Sequence, residues 1–413
     1  MKNPFPTSVI RILTVNRILR GIVQGFLLAR FLPDIHDLGW STVAAGTILS
    51  GGLLFDFLLT LFIGHRSDRS DPTGILIIGE FITIASGAVF LLFPSPVLLG
   101  TATFLAGLGQ RSNGSPGPFA PAEQSLILQN THLPMRFKNF SKNTAVGLLG
   151  MSAGAFLGGQ SRWARIDSPM LNLKSAMIAL VLVSCINVLL LWHLSRPAKA
   201  IHSSGETVRR PANPLTQTEK RHLALLVSGN LFAGIAIGLT DPTIAYWFLL
   251  RFHTSPDHVS FLLALSYLVS GVLSFLLTFQ TNSKKLIRTA FVMQALALLS
   301  LALLPLTSIL FFAFALYTLR LAFVRAPGGI RQGLAGEIVH PDHAGWAASL
   351  HFSSLQGAQI AGPFLAGFFW KRHWTNAPLF LAGFSTAVSL ILFLILYRNA
   401  LGPNRTHVTL ASS

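Results

Sequence analysis

The sequence predicts an all-α, polytopic membrane protein with twelve transmembrane helices in two pseudo-symmetric six-helix bundles. Three observations predict this fold class. First, 51% of the 413 residues are hydrophobic and only 11% are charged, whereas soluble domains carry about 25% charged residues. Second, apolar runs of about twenty residues, the length that spans a bilayer, recur from end to end. Third, one unusual stretch occurs twice.

The repeated stretch joins an arginine to a glutamate through a segment rich in glycine and proline. Residues 111–123 read RSNGSPGPFAPAE and residues 325–337 read RAPGGIRQGLAGE, each after an apolar run. Such a repeat is typical of transporters built from two similar halves. An arginine inside an apolar run usually faces a protein interior or a watery cavity. We therefore expect Arg111 and Arg325 to face one shared cavity.

The apolar runs place twelve helices at residues 9–32, 39–63, 74–93, 96–121, 140–160, 173–194, 221–250, 257–281, 287–305, 307–335, 343–370 and 376–397. The longest polar interruption, residues 195–220, is rich in Lys, Arg, Ser and Pro. It divides the chain into an N-terminal bundle (1–194), a linker (195–220) and a C-terminal bundle (221–413).

Lysine and arginine concentrate in the loops after predicted helices 2, 4, 6 and 8, whereas the loops after helices 5 and 11 are basic exceptions. This bias places both termini and the linker in the cytoplasm, and the chain in the cytoplasmic membrane. The net charge of +17 follows from the same bias, so we expect no nucleic-acid partner. The first apolar run contains four arginines and lacks a small-residue cleavage site, which argues against a cleaved signal peptide.

The loop between predicted helices 2 and 3 reads GHRSDRSDPTG over residues 64–74. It resembles the loop 2–3 signature of the major facilitator superfamily, in which Gly, a small residue, Asp-Arg and Gly-Arg follow in order. The matching residues are Gly64, Ser67, Asp68 and Arg69. Asp-Pro replaces the later Gly-Arg pair. The resemblance implies the major facilitator fold, secondary transport by alternating access, and gating roles for Gly64, Asp68 and Arg69.

Two further segments resemble signatures of the antiporters in that superfamily. In predicted helix 4, Arg111 is surrounded by Gly107, Gly109 and Gly114. In predicted helix 5, GMSAGAFLGG resembles Gly-x3-Gly-Pro-x2-Gly-Gly, with Ala155 in place of proline. The resemblance implies proton-coupled export of a small organic compound. Candidate positions for helix bending are Gly150, Gly154, Gly158 and Gly159 in helix 5, and Gly362 and Pro363 in helix 11.

Polar side chains within the predicted helices are candidates for substrate binding. They are Arg111, Arg325, Arg20, Gln24, Asn230, Tyr246, Gln356 and Gln359. Each has a structural alternative, because an arginine can bond to backbone carbonyls at a helix distortion and an uncharged side chain can bond between helices.

Asp56 and Asp241 are the candidates for proton coupling. Asp56 lies at a depth similar to that of Arg17 in helix 1, so the two are expected to pair. A buried aspartate whose partner moves away can take up a proton. Asp241 precedes Pro242, a pair that predicts a broken helix of the kind found at transporter binding sites. The alternative is a solvated Asp241 near the outer surface.

Two glutamates, Glu123 and Glu337, are expected near water at the cytoplasmic ends of helices 4 and 10, where they form a gate latch. Their expected partners are Arg66, Arg69 or Arg136 for Glu123, and Lys284, Lys285 or Arg288 for Glu337.

Several function classes lack support in the sequence. One cysteine, no HExxH spacing, no GxxxxGK[ST] loop and no nucleophile–base pair argue against a metal site, a cofactor, ATP-driven transport and an enzyme. Expected partners are the lipid bilayer, a small-molecule substrate and protons, with the chain acting as a monomer. Proton-coupled efflux is the primary hypothesis. Organic-anion uptake or exchange through the intramembrane arginines is the alternative, and a non-transporting membrane scaffold or a membrane-embedded enzyme is a third.

Overall fold

The structure is a computed structural model that describes residues 7–67, 71–131, 133–160, 168–198, 215–279, 283–328 and 344–400. These residues form fifteen α-helices, joined in two places by a 3₁₀ turn. In chain order the helices are α1 (Thr7–Asp37), α2 (Thr42–Ser67), α3 (Pro72–Leu92), α4 (Pro96–Ala106), α5 (Ala120–Gln129), α6 (Leu133–Gly158), α7 (Pro169–Ala198), α8 (Gln217–Thr240), α9 (Ile244–Phe252), α10 (Pro256–Leu277), α11 (Ser283–Leu303), α12 (Leu310–Arg325), α13 (Ala344–Gln359), α14 (Ala361–Lys371) and α15 (Ala377–Ala400).

The all-helical, polytopic fold predicted from the sequence is confirmed. Within the described residues, eight helices are long and apolar enough to cross a membrane: α1, α2, α3, α7, α8, α10, α11 and α15. The predicted fourth, fifth, tenth and eleventh spans correspond to α4 with α5, α6, α12, and α13 with α14. The total of twelve spans and the division into two bundles stay predictions.

The predicted fourth span is broken rather than continuous over residues 96–121. Helix α4 ends at Ala106, and Gly107, with φ +64°, caps it in the left-handed region. Left-handed backbone recurs at Asn113 and Gly114, and α5 begins only at Ala120. The expectation of one helix is wrong because a left-handed residue cannot continue a right-handed helix. Arg111 therefore lies on a non-helical segment inside the protein.

The predicted seventh span breaks where its Asp-Pro pair stands, as the sequence predicts. Helix α8 ends at Thr240 and α9 begins at Ile244, because Pro242 has no N–H to donate to the helix ladder. The predicted eleventh span is interrupted too, between α13 and α14. A Cβ added to Gly362 would lie 2.0 Å from the carbonyl carbon of Gly238. The two interrupted spans therefore meet backbone to backbone at Gly362, the residue before Pro363.

Helices α1 and α6 also touch through their backbones. A Cβ on Gly150 would lie 2.5 Å from the carbonyl oxygen of Ile18, and one on Gly154 would lie 1.8 Å from that of Ile22. Helix α6 runs uninterrupted through both glycines and ends at Gly158, with Gly159 directly after it. The glycines of predicted helix 5 therefore serve close helix packing. Their role in bending stays a prediction.

We call residues 7–198 the N-terminal half and residues 215–400 the C-terminal half. Their contacts include two seams, which we name by their helices. At the α2/α14 seam, the Thr42 hydroxyl donates to the Gly367 carbonyl (3.2 Å) and the Phe364 N–H donates to the Ser50 hydroxyl (3.0 Å). At the α6/α10 seam, the Ser152 hydroxyl donates to the Ala264 carbonyl (2.7 Å). Backbone carbonyls and small side chains thus hold the halves together.

Candidate functional site

A cavity of about 250 Å³ lies between the two halves. Both halves contribute to its wall. The first contributes α1, α2, α5, α6 and the break after α4, and the second contributes α8, α12 and α13. The cavity brings together eight of the residues predicted from the sequence, namely Arg111, Arg325, Asn230, Gln356, Gln359, Asp56, Asp241 and Glu123. The expectation that Arg111 and Arg325 face the same cavity agrees with this geometry.

Arg111 donates two hydrogen bonds to Asp56 at the wall of this cavity. Its Nε lies 2.9 Å from one carboxylate oxygen and its Nη2 lies 2.7 Å from the other. Nη2 also donates to the Leu105 carbonyl, 3.3 Å away, at the end of α4. The predicted pair of Arg17 with Asp56 is wrong. Similar depth along two helices does not fix which way each side chain faces, and Asp56 faces the break after α4.

Arg17 instead belongs to a second group of charges with Glu123. Arg17 Nη1 lies 3.4 Å from the Glu123 carboxylate, and the Asn143 amide donates to it at 2.9 Å. Glu123 is only 2% exposed, so its expected position near water is wrong. Because α5 begins at Ala120, Glu123 lies in the first helical turn and faces α1 and α6. The side chains of its expected partners, Arg66, Arg69 and Arg136, lie outside the description.

Arg20 also belongs to the group of charges around Glu123. Its Nη2 lies 2.6 Å from a Glu80 oxygen and its Nη1 lies 3.6 Å from Glu123. The Asn187 amide adds a hydrogen bond of 3.2 Å to Glu80. We use the name N-terminal charge cluster for Arg17, Arg20, Arg111, Asp56, Glu80 and Glu123. Arginines of α1 reach Glu80 on α3 and Glu123 on α5, and the sequence pattern did not single out Glu80.

The C-terminal half holds a smaller group, in which two arginines share one aspartate. Arg325 bonds to Asp241, and Arg320 Nη1 lies 3.6 Å from the same carboxylate. Arg325 also donates to the Ser112 hydroxyl of the other half, 3.1 Å away. Asp241 is buried, so the solvated alternative is wrong. Sequence reasoning missed Arg320, although an arginine within the apolar residues 310–325 was a usable signal.

This chain is similar to known proteins in its structure. Neither a family model nor a curated protein matches this sequence. Solved structures do match. The chain is 16% identical to the human organic anion transporter MFSD10 (TETRAN), with a TM-score of 0.64 over 95% of this chain and 100% of that one. The chain has the major facilitator fold. Sequence identities this low establish the fold and nothing finer.

Two other solved structures show the same major facilitator fold. A bacterial homolog of the human lysosomal transporter Spinster, inward-facing and unoccupied, is 16% identical with a TM-score of 0.61, over 97% of this chain and 98% of that one. The nucleoside transporter NupG is 15% identical with a TM-score of 0.65, over 94% and 99%.

Within this major facilitator fold, Asn230 links α8 to α13 at the cavity wall. Its amide nitrogen lies 2.9 Å from His351 Nδ1, 3.1 Å from the His351 carbonyl and 3.0 Å from the Ser354 hydroxyl. Asn230 therefore forms the interhelical hydrogen bonds expected of such a residue and lines the cavity as well. His351 was not predicted, because a lone histidine on an apolar helix carries no spacing signal.

Three predicted substrate residues do not line the main cavity. Tyr246 packs between His36 and Trp370, with ring centroids 4.9 and 5.1 Å away. Arg20 and Gln24 line a smaller cavity of about 40 Å³, where Gln24 donates to the Ser115 carbonyl at 2.7 Å. These three side chains lie away from the main cavity, and their role in substrate binding stays a prediction.

The remaining predicted gate residues lie mostly beyond the description. Asp68, Arg69 and Glu337 are outside the described residues, and Gly64 and Arg136 are described only as parts of helices α2 and α6. Among the described residues, no group of three or more His, Cys, Asp or Glu side chains is placed to hold a metal ion.

Proposed function

We propose that this chain is a secondary transporter that carries a small polar organic solute across a membrane by alternating access. The observation that carries the proposal is the cavity at the meeting of the two halves, lined with charged side chains from both. A site at such a meeting can face either side of the membrane when the halves rock. The three similar structures support this function. They are an organic anion transporter, a bacterial homolog of a human lysosomal transporter, and a nucleoside transporter.

Contacts at one end of the halves support an inward-facing arrangement. Gly46 of α2 lies against Pro363, and Thr42 lies against Gly367. The distribution of Lys and Arg favours a position outside the cell for this end of α2. We infer that the described arrangement is closed to the outside, with both termini in the cytoplasm.

The test uses cysteine accessibility, because the chain has one native cysteine. A Cys185→Ser variant provides the background, and Gln356→Cys places a thiol in the cavity wall. Right-side-out and inverted vesicles are treated with a membrane-impermeant maleimide. Alternating access predicts that the new thiol reacts from both sides during turnover, and Val97→Cys, 75% exposed near the outer end of α4, is the one-sided control. Reaction of Gln356→Cys from one side only would contradict the proposal.

Proton-coupled export is one form of this transport. The buried carboxylates of Asp56 and Asp241 support it, since each is held by an arginine that lines the cavity. A carboxylate that loses its arginine in a low-dielectric interior takes up a proton more readily. Antiport predicts that adding solute to proteoliposomes moves protons against the solute, which a pH-sensitive dye inside the vesicles detects. No proton movement during solute flux would exclude it.

Uptake or exchange of an organic anion is the second candidate, and the charges at the cavity surface favour it. The side chains of Arg17, Arg111 and Arg325 are 12%, 10% and 18% exposed. Their carboxylate partners Glu123, Asp56 and Asp241 are only 2%, 3% and 9% exposed. The cavity therefore presents guanidinium groups in front of carboxylates. Arginine binds carboxylate and phosphate groups through two parallel hydrogen bonds, so this surface suits an anion better than a cation.

A further inference from the structure

A groove of about 580 Å³ lies on the surface of the protein along the α6/α10 seam. Its floor consists of small residues, Ser152 and Ala153 of α6 and Ala264 of α10. Larger apolar side chains stand on both sides of this floor, and all of them are exposed: Leu149, Phe156, Leu157, Phe261, Leu265 and Leu268. The surface is therefore concave where small residues of the two halves meet.

The groove lies at membrane depth and has the length of one leaflet. Helix α10 is long and apolar enough to cross a membrane over Pro256–Leu277, which includes all of its groove residues. Along α6 the groove runs from residue 149 to residue 157, which is about 12 Å at the helical rise per residue. Half of the hydrocarbon core of a bilayer is about 15 Å thick. In the proposed orientation, the groove faces the outer leaflet.

The lining suits a hydrocarbon chain better than a polar molecule. The Ser152 hydroxyl already donates its proton to the Ala264 carbonyl, 2.7 Å away, and the other lining side chains are apolar. Binding pockets for organic solutes carry a few polar groups that fix the orientation of the solute. Residues 161–167, outside the described part of the chain, contain two arginines and an aspartate, and charged side chains are costly in hydrocarbon.

Both halves build the groove, so its shape depends on their contact. The rings of Phe156 and Phe261 face each other across the seam, with centroids 6.2 Å apart. Two residues beyond the groove, a Cβ on Gly159 would lie 3.0 Å from the carbonyl oxygen of Asp257, which forms an ion pair with Arg30 of the other half. Separation of the halves at this end would therefore draw the two walls of the groove apart.

We propose that an acyl chain of a membrane phospholipid occupies this groove and favours the arrangement in which the cavity is closed to the outside. An unfilled concavity deprives its walls of dispersion contacts, which a flexible chain restores. The chain contacts both walls, so it binds the joined halves more tightly than the separated ones. A ligand shifts an equilibrium through such a difference in affinity. Only this effect on the cycle rests on the proposed function, whereas occupation of the groove does not.

Photo-crosslinking tests the occupation of the groove. The purified full-length protein is reconstituted into phosphatidylcholine vesicles with a trace of the same lipid that carries a diazirine on one acyl chain, and labelled residues are identified by mass spectrometry. We expect Ala153 and Leu265 to carry several-fold more label than Leu299 of α11 and Phe384 of α15. These two control residues are also exposed on helices that can cross the membrane.

A matched pair of variants shows whether the label depends on the groove. Ala153→Trp fills the groove and should lower the label on Leu265 to the level of Leu299. Ala302→Trp adds the same side chain at an exposed position of α11 and should change nothing. Equal labelling of groove and control residues in the unaltered protein would overturn the proposal, because lipid would then surround the protein only as a solvent. A disulfide-linked dimer of Ala153→Cys on the Cys185→Ser background would also overturn it, because a second copy would then cover the groove.

Two further variants test the effect on the cycle. Asp257→Asn removes the carboxylate that pairs with Arg30. Gly367→Val forces apart the α2/α14 seam, because its Cβ would lie 2.4 Å from the Thr42 carbonyl oxygen. Each should lower the label on Leu265 several-fold. Unchanged label in both, in proteins that elute as a single folded species, would overturn the link between the lipid and closure.

The result is separable from that of the proposed function. Reaction of Gln356→Cys from one side only would reject alternating access, whereas the label on Ala153 and Leu265 would still decide whether the groove binds an acyl chain.

Discussion

Arg30 and Asp257 join the two halves of the chain across the contact between α1 and α10, with Nη1 of the arginine 2.7 Å from the carboxylate. The same guanidinium bonds through Nη2 to Asp34 on its own helix, 3.0 Å away. In the proposed orientation, with both termini in the cytoplasm, these residues lie near the outer face. Under the proposed alternating access, opening of the cavity to the outside requires Arg30 to release Asp257 while it retains Asp34.

Replacement of Asp257 should weaken this closure without stranding a buried charge. In Asp257→Asn, Arg30 keeps its ion pair with Asp34. We expect the thiol of a Gln356→Cys variant to react several-fold faster from the outside, measured with an impermeant maleimide on right-side-out vesicles. Arg30→Gln is the contrasting variant, because it leaves the buried Asp34 without that partner and should lower the unfolding temperature. If the thiol reacts from the outside at the same rate with and without Asp257→Asn, the Arg30–Asp257 pair does not keep the cavity closed to the outside.

Loss of Arg111 should destabilise the protein through the partner that it leaves behind. Breaking a buried ion pair from one side costs about 3–5 kcal/mol, and Asp56 is only 2% exposed. We therefore expect Arg111→Gln to lower the unfolding temperature clearly. Addition of Asp56→Asn should restore most of the loss, because no charge then remains unpaired. A double variant no more stable than Arg111→Gln would argue that the arginine supports the fold by other contacts, such as its bond to Leu105.

The contact between α1 and α6 predicts a large effect from one methyl group. In Gly154→Ala the new Cβ would lie 1.8 Å from the Ile22 carbonyl oxygen, so the helices must separate. Overpacking of this kind costs about 1–3 kcal/mol. Gly383→Ala in α15 is the matched control, since nothing lies within 4 Å of its Cβ position. Thermal unfolding in detergent should show a lower midpoint for Gly154→Ala, and an unchanged or higher one for Gly383→Ala. Equal midpoints would contradict the close approach.

The native thiol of Cys185 should not react with the maleimide in these labelling experiments. Cys185 is exposed on α7, within the apolar segment Pro169–Leu194 that is long enough to cross the membrane. A side chain exposed on this segment faces lipid in the membrane, where a water-soluble reagent does not reach it. We expect no modification by the impermeant maleimide, and an unchanged unfolding temperature for Cys185→Ser. Rapid labelling of the native cysteine would place this face of α7 in water.

Local chemistry explains which parts of the structure the sequence could predict. Apolar runs gave α1, α2 and α3 to within a few residues, because burial in lipid depends on composition. The break at Asp241 and Pro242 was predictable because proline cannot complete a helix ladder. The glycines between residues 107 and 117 allowed a break after α4 but did not require one, since glycine is compatible with both backbones.

The ion pairs were less predictable because they depend on how helices rotate against one another. Asp56 and Arg111 are 55 positions apart in sequence, and depth counting assigned Asp56 to Arg17 instead. A helix rotated by half a turn presents a different face at the same depth. Arg320 illustrates a different limit. Its position was visible in the sequence, but only the structure shows that the break after α8 brings Asp241 to both Arg320 and Arg325 of α12.

The backbone contact between α1 and α6 has a consequence for motion in the proposed transport cycle. The Ile22 carbonyl lies directly against Gly154. At this contact no side chains lie between the two helices that could change their packing as the helices move. We expect α1 and α6 to move as one rigid unit. Relative motion in the proposed transport cycle then occurs at surfaces where side chains can exchange partners. The contact between α1 and α6 therefore offers no binding site for an inhibitor of the proposed cycle. The arginines beside Ser112 are the better target.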